Sequence, residues 1–275
     1  MSGKKTVDLS NRVTELDLIR GICILGMAVD HAFAMTIFML PSIFQNSEAT
    51  YSIYKFGLLY WNSTPRLIIH LIGLSLFLLL TGVCCSFSRS NIKRGTKLLI
   101  VSVIFTIVTI IFMNIIGEQD EIVTFGVLHC IAVCLLLVGV LEKIKTNKWI
   151  YLAIGLVMIV VGVLFVKVIN EHGDYYVSYS SESLWTLVPK IILGLSYAGA
   201  DCIPLFPYGG VVFVGVFLGK QFYSERKPLV FKNYHNNIVT ILGRHTLVFS
   251  LVHLLIIVPI WVVVYLILGA KLTIF

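Results

Sequence analysis

Charge is scarce in this chain. Only 13% of its 275 residues are Asp, Glu, Lys or Arg, while 58% are hydrophobic. A soluble domain of this length cannot cover that much apolar surface around one core. Also lacking are the period-3.6 amphipathic stripes of helices that face water. There is no Walker A loop, no GxSxG elbow and no HExxH pair, which removes P-loop nucleotide chemistry, the α/β-hydrolase site and the zincin site. The two halves carry no paired symmetry of the kind found in many transporters. Internal repeats, low-complexity tracts and long polar domains are absent too. The six cysteines (Cys23, Cys84, Cys85, Cys130, Cys134 and Cys202) form neither a zinc knuckle nor a disulfide framework, and five sit in apolar blocks as small hydrophobes. No tetrahedral metal set is evident, so no metal is expected. The first apolar block is too long for a signal-peptide core, and no cleaved leader is expected.

What is present is a series of apolar blocks about twenty residues long, the length that crosses a hydrocarbon core roughly 30 Å thick. Crossings are predicted near 17–40, 66–88, 96–117, 122–141, 149–169, 203–222 and 246–268. The run 184–200 holds Pro189 and Lys190 and is followed by Asp201, Pro204 and Pro207. It reads as a short interfacial or re-entrant helix leading into a kinked crossing. The expected fold is therefore all-α: one integral membrane domain over 1–275, a polytopic bundle of about seven transmembrane helices plus the short one.

The loop charges agree with that count. Lys4, Lys5 and Arg12, then Arg89, Lys93, Arg94 and Lys97, then Lys143, Lys145 and Lys148, then Lys220, Arg226, Lys227 and Lys232 fall in alternate connections. The connections between them carry Glu118, Asp120 and Glu121, then Glu171, Asp174 and Glu182. Cations mark the cytoplasmic side, which puts the N-terminus inside and the C-terminus outside. The net charge of +7 thus belongs to short loops and gives no reason to expect nucleic acid. Two outer stretches hold Tyr51, Tyr54, Tyr60 and Trp61, and Tyr175, Tyr176, Tyr179 and Trp185. They read either as an interfacial aromatic belt or as a lid and sugar-stacking surface.

Ionisable residues inside a crossing cost about 2.5–3.5 kcal/mol each and face the bundle interior, so each is a functional candidate. The first crossing carries Asp17, Arg20, Asp30 and His31. Eleven residues of helix return to within about 20° of the start, so Arg20 and His31 share a face, with His31 roughly 16 Å further along. Asp17 lies one turn from Arg20, close enough to pair with it. Gly21 and Gly26 permit close approach by a helix or a ligand. A cation at the mouth and an imidazole at mid-membrane suit an anionic donor from the cytosol. The bland alternative is an anchored helix end and a histidine bonded to a neighbour. Asp30 beside His31 argues for function, and the two form the candidate catalytic pair. His129, Asp201 and His253 are predicted to converge with His31 from the outer half and to bind the acceptor. His70 reads as structural. Arg244 and His245 either meet phosphates or anchor a helix end by snorkelling.

The motif ELDLIRGICILGMAVDH at 15–31 resembles the opening of the heparan-α-glucosaminide N-acetyltransferase-like membrane proteins. Matching segments follow in order: FLLLTGVCCSFSRSNIKRG at 77–95, FGVLHCIAV at 125–133, DCIPLFPYGGVVFVGVFLG at 201–219 and LGRHTLVFSLVH at 242–253. The Asp-x-x-Arg spacing, with His eleven residues after the Arg, is also similar to the start of acyltransferase-3 proteins. The resemblance implies acetyl-CoA, or another acyl-CoA, as donor. It implies that Arg20 helps hold the donor, that His31 is the base or acyl carrier, and that the loop 89–95 lies near the CoA phosphates. The animal lysosomal enzyme is larger, with a lumenal domain and more crossings, so its heparan substrate is not implied here.

These readings combine into a bacterial plasma-membrane acyltransferase moving an acetyl or other short acyl group to an extracytoplasmic amine or hydroxyl, a sugar above all. Its expected donor-binding residues are Asp17, Arg20, Arg89, Lys93, Arg94 and Arg244. Expected partners are acyl-CoA, the sugar-like acceptor, the bilayer and a second copy of the chain. The rival reading is a proton-coupled transporter using His31, His129 and His253 as a relay. A third is a non-catalytic membrane subunit.

Overall fold

The computed structural model describes residues 13–117, 121–172, 183–225, 227 and 237–273. The chain runs through α1 (Thr14–Ala34), a π-helical turn (Met35–Met39), α2 (Leu40–Ile43), α3 (Glu48–Trp61), α4 (Thr64–Cys85), α5 (Asn91–Ile116), α6 (Val127–Lys143) and α7 (Lys148–His172). It continues through α8 (Leu184–Leu193), a second π turn (Leu205–Gly209), α9 (Gly210–Phe222), α10 (Ile238–Arg244) and α11 (Thr246–Ile267). Two short strands, β1 (Phe44–Gln45) and β2 (Lys271–Leu272), pair antiparallel. The helix starts follow ordinary capping chemistry: Ser47, Ser63, Ser90 and Asn237 accept from backbone N–H groups three residues on. Gly117 and Gly194 end α5 and α8 at φ +81°, a conformation glycine adopts without side-chain strain.

Among the described residues, six helices are long and apolar enough to cross a membrane: Thr14–Ile43, Thr64–Cys85, Asn91–Ile116, Lys148–Val166, Leu205–Phe222 and Thr246–Ile267. They coincide with six of the predicted crossings. The other, near 122–141, is α6, a helix of 17 residues that rises about 25 Å. That length lies at the lower limit for a crossing, so the expected count of seven turns on this one helix. The short helix foreseen at 184–200 ends at Leu193, because Gly194 breaks it and the chain then runs irregularly to Pro204. Leu187 and Ile191 on one side of α8 are wholly buried, while Trp185 is exposed.

The bundle closes through glycines. A Cβ on Gly21 would strike the Val239 carbonyl, and one on Gly243 would strike the Asp17 carbonyl, so α1 and α10 cross with backbones in contact. Gly82 and Gly215 do the same for α4 and α9, and Gly155 and Gly162 for α7 against α9 and the turn before it. Close approach of this kind substitutes for the hydrophobic effect, which gives helices little reason to associate inside lipid. The core lies among α4, α6, α7, α8 and α9. By contrast α5 and α11 keep large apolar faces exposed, Ile104, Ile107, Ile111, Leu255 and Ile256 among them, as lipid-facing helices should.

Contacts across the crossings bring the basic connections to one end. Asn91 donates to Glu142 at 2.8 Å, Lys220 pairs with Glu142 at 3.6 Å, Tyr223 donates to Glu15 at 2.8 Å and Arg244 pairs with Asp17 at 3.1 Å. The charge pattern read from the sequence is thus realised as a basic end, although Lys4, Lys5, Arg12, Arg226 and Lys232 lie outside the described residues. So do Glu118, Asp120, Asp174, Glu182, Tyr175, Tyr176 and Tyr179.

Gly21→Ala or Gly243→Ala should cost about 1–3 kcal/mol through overpacking and lower the melting midpoint in detergent. Gly26→Ala, whose Cβ would meet nothing within 4 Å, should leave it unchanged or raise it. Equal tolerance at all three sites in a thermal-shift assay would contradict the crossing geometry.

Candidate functional site

At the basic end a cavity of about 900 Å3 opens between α1, α4, α5, α6 and the α10–α11 corner. Helical spacing explains its lining. On α1 it takes Val13, Leu16, Asp17 and Arg20, on α5 it takes Arg94, Lys97, Leu98 and Val101, and on α11 it takes Thr246, Leu247 and Ser250. Each set repeats at three and four residues, one stripe of a helix. Arg89 and Arg244 complete a group of five cations facing the single carboxylate of Asp17. Deeper in, Phe77, Leu128, Ile131 and Leu135 make the wall apolar.

Arg20 is the group the site does not satisfy. Its Nη2 donates to the Leu80 carbonyl at 3.3 Å, but its Nε is buried without a hydrogen-bond partner, and it enters no ion pair among the described residues. The expected Asp17–Arg20 pair is replaced. The glycine crossing delivers α10 so close to α1 that Arg244 Nε meets Asp17 Oδ2 at 3.1 Å. Arg244 is the last residue of α10, a short helix ahead of the last crossing. Lys93 is a second correction: it stands about 100° round α5 from Arg94 and does not line the cavity, whereas Lys97 does. Arg94 is steered by the Cys84 carbonyl at 3.3 Å.

The stripes on α1 and α11 lead to one place. His31 and His253 bond through Nδ1 and Nε2 at 2.7 Å, with ring planes 21° apart. Ser250 on the cavity wall is one turn of α11 from His253, about 4.5 Å of rise.

Asp30 turns away from His31 to other partners, because neighbours on a helix diverge by about 100°. It faces α3 and α4, where Arg66 grips both its oxygens, Nε at 2.7 Å to Oδ1 and Nη2 to Oδ2. Tyr60 OH donates to it at 3.1 Å and His70 Nδ1 lies 3.3 Å away. The Arg66 guanidinium also stacks on Trp61, 3.7 Å from the ring centroid. Sequence reasoning gave Arg66 no role. An arginine one residue after a proline at the mouth of an apolar run was the available signal.

His129 is occupied on both nitrogens. Nδ1 accepts from the Gly126 N–H at 3.3 Å and Nε2 lies 3.2 Å from Thr106 Oγ1, so it caps α6 and ties it to α5. Asp201 Oδ2 accepts from the Val127 N–H at 3.1 Å, at the N-terminus of the same helix. Burial pushes the Asp201 carboxyl up from its ordinary range, against the Val127 N–H and nearby His70, which pull it down. The structure gives both residues local duties around α6 instead of joining them to the His31–His253 bond.

Replacing Arg66 by Met strands a buried carboxylate and should destabilise the fold by about 3–5 kcal/mol, with recovery in the Asp30→Asn/Arg66→Met double variant. A single variant as stable as the parent in chemical denaturation would refute the pairing. Because the folded state disfavours ionised Asp201, wild-type stability should fall as pH rises above the ordinary value of about 3.8 through the raised one. Asp201→Asn keeps an oxygen for the Val127 N–H and should flatten that slope. Identical pH slopes for the two proteins would contradict it.

Comparison with known proteins adds one match. The family described as heparan-alpha-glucosaminide N-acetyltransferase, catalytic, matches residues 12–255. No curated protein and no solved structure matches. The matched span takes in the cavity, the histidine pair and every membrane-length helix up to the first part of α11. An apolar helix bundle of this length, matched over nearly its whole extent, belongs to the family of the heparan-alpha-glucosaminide N-acetyltransferase catalytic domain.

Proposed function

We propose that this chain is a membrane acetyltransferase that takes its acyl group from acyl-CoA at the basic end and delivers it to an amine or hydroxyl, carried on a sugar, from the opposite end. The observation that carries this reading is the cavity: five cations against one carboxylate, apolar walls beside them, and Ser250 in its lining one turn of α11 from His253 of the His31–His253 bond. Family membership supplies the reaction class. In this reading α6 crosses as the seventh span, the N-terminus is cytoplasmic and the C-terminus is outside.

The residues divide the work by chemistry. Arg20 and Arg94 offer planar forks to phosphate oxygens, and Lys97 and Arg89 offer charge. Asp17 holds Arg244 by its ion pair, so that this fork is aimed before the donor arrives. The orphaned Nε of Arg20 is the donor such an anion would satisfy. An acyl thioester supplies an activated carbonyl carbon. His31 takes the proton from the acceptor N–H or O–H as that heteroatom bonds the carbonyl carbon. The carbon–sulfur bond then breaks, and the proton passes to the thiolate, leaving acylated acceptor and free CoA thiol. Asp30 keeps its ion pair with Arg66 throughout and shapes the corner around the base.

Removing one charge-assisted donor costs about 1.5–3 kcal/mol, or roughly 10–100-fold in affinity. Arg20→Ala should therefore weaken acetyl-CoA binding by that factor in isothermal titration, with Lys93→Ala unchanged. Radiolabelled acetyl-CoA with a panel of amino sugars should give product with wild type and none with His31→Ala. Substrate uptake into liposomes without CoA release, or equal labelling by both proteins, would overturn the assignment.

A further inference from the structure

We infer that His253 is a positioning residue that decides which nitrogen of His31 is the base, an inference that rests on the acyl-transfer reading above. The argument begins at a group that can only accept. The Phe249 carbonyl oxygen lies 3.0 Å from His253 Nδ1, so Nδ1 carries the hydrogen and donates it. A neutral imidazole has one N–H, which leaves His253 Nε2 as a bare lone pair. That lone pair lies 2.7 Å from His31 Nδ1, so the His31 hydrogen is on Nδ1 and is donated to His253. The remaining nitrogen of His31, Nε2, is then the free lone pair.

The order is one-directional: His31 donates to His253, and His253 donates to Phe249 of its own helix one turn back. Burial holds it in place, since His253 is only 3% exposed and water has little access to compete for either nitrogen. Among the described residues no carboxylate bonds either imidazole. Asp30, the nearest one in sequence, is bound by Arg66, Tyr60 and His70. A neutral histidine thus occupies the place a carboxylate fills in a Ser-His-Asp triad, where the third member fixes the tautomer and orientation of the base. When His31 Nε2 takes the acceptor proton, the Nδ1–H bond to His253 persists and shares the positive charge. The thiolate then removes that proton from Nε2 and returns the pair to its starting state.

Nitrogen-15 spectra of histidine-labelled protein test the tautomer directly, with the His31 signals identified by their loss in His31→Ala. Wild type should show His31 protonated on Nδ1 and bare on Nε2. His253→Gln, whose carboxamide oxygen can accept the same hydrogen, should keep that state, and His253→Leu should lose it. In parallel, kcat for acetyl transfer should fall about 100-fold or more in His253→Leu and stay within about tenfold of wild type in His253→Gln. The KM for acetyl-CoA should change by less than about twofold in both variants, which also shows that they fold. A wild-type His31 protonated on Nε2 would overturn the inference, as would a glutamine variant as slow as the leucine one. If wild type transfers nothing, the acyl-transfer reading fails, while the nitrogen spectrum still decides the tautomer by itself.

Discussion

A charge held inside an apolar bundle must find an opposite charge, a hydrogen-bond partner or water, because the surrounding medium does little to screen it. That requirement arranges much of this molecule. Asp17 is met by Arg244, Asp30 by Arg66 and His70, Glu15 by Tyr223, and Glu142 by Asn91 and Lys220. Each pair ties together different parts of the bundle, so each also sets how it closes. Arg20 stands apart, with one long bond to a carbonyl and a buried Nε that nothing described here satisfies. A cation left in that condition at the wall of a cavity is poised for an anion from outside.

The same economy explains why the cavity exists. Glycine crossings draw α1 onto α10 and α4 onto α9 until backbones touch, while α5 packs chiefly on α6. The space left between these tight pairs is the cavity, and its lining stripes are the helix faces that no crossing consumed. On α1 and α11 those stripes continue inward to His31 and His253, so the architecture that opens the mouth also joins the two imidazoles.

How far the sequence foretold this depends on whether a feature is local to one helix. All seven predicted crossings fall on observed helices, six of them long and apolar enough to span, and the shared face of Arg20 and His31 follows from helix geometry alone. The fates of Asp17 and Asp30 were not legible in the same way. Asp17 sits one turn from Arg20, but a tertiary crossing brings Arg244 from over two hundred residues away. Asp30 adjoins His31 in sequence and diverges from it around the helix toward a corner that Arg66 and Tyr60 enter. His129 looked like one of several inward histidines, and only the register of Gly126 and Thr106 reveals it as a cap. Lys93 and Lys97 differ by one turn of the same basic segment, and the lining of the cavity takes the second. Spacing along one helix could be read in advance, and so could the meeting of His31 with His253, whereas the partners that Asp17 and Asp30 take from other helices could not.

The most direct measurement of the central claim is a density map of the protein with acetyl-CoA bound. The account predicts phosphate density against Arg20, Arg94 and Lys97 and a thioester directed toward the His31–His253 pair. Density for the donor at any other place, or a donor lying in the cavity with its thioester turned away from those imidazoles, would contradict it.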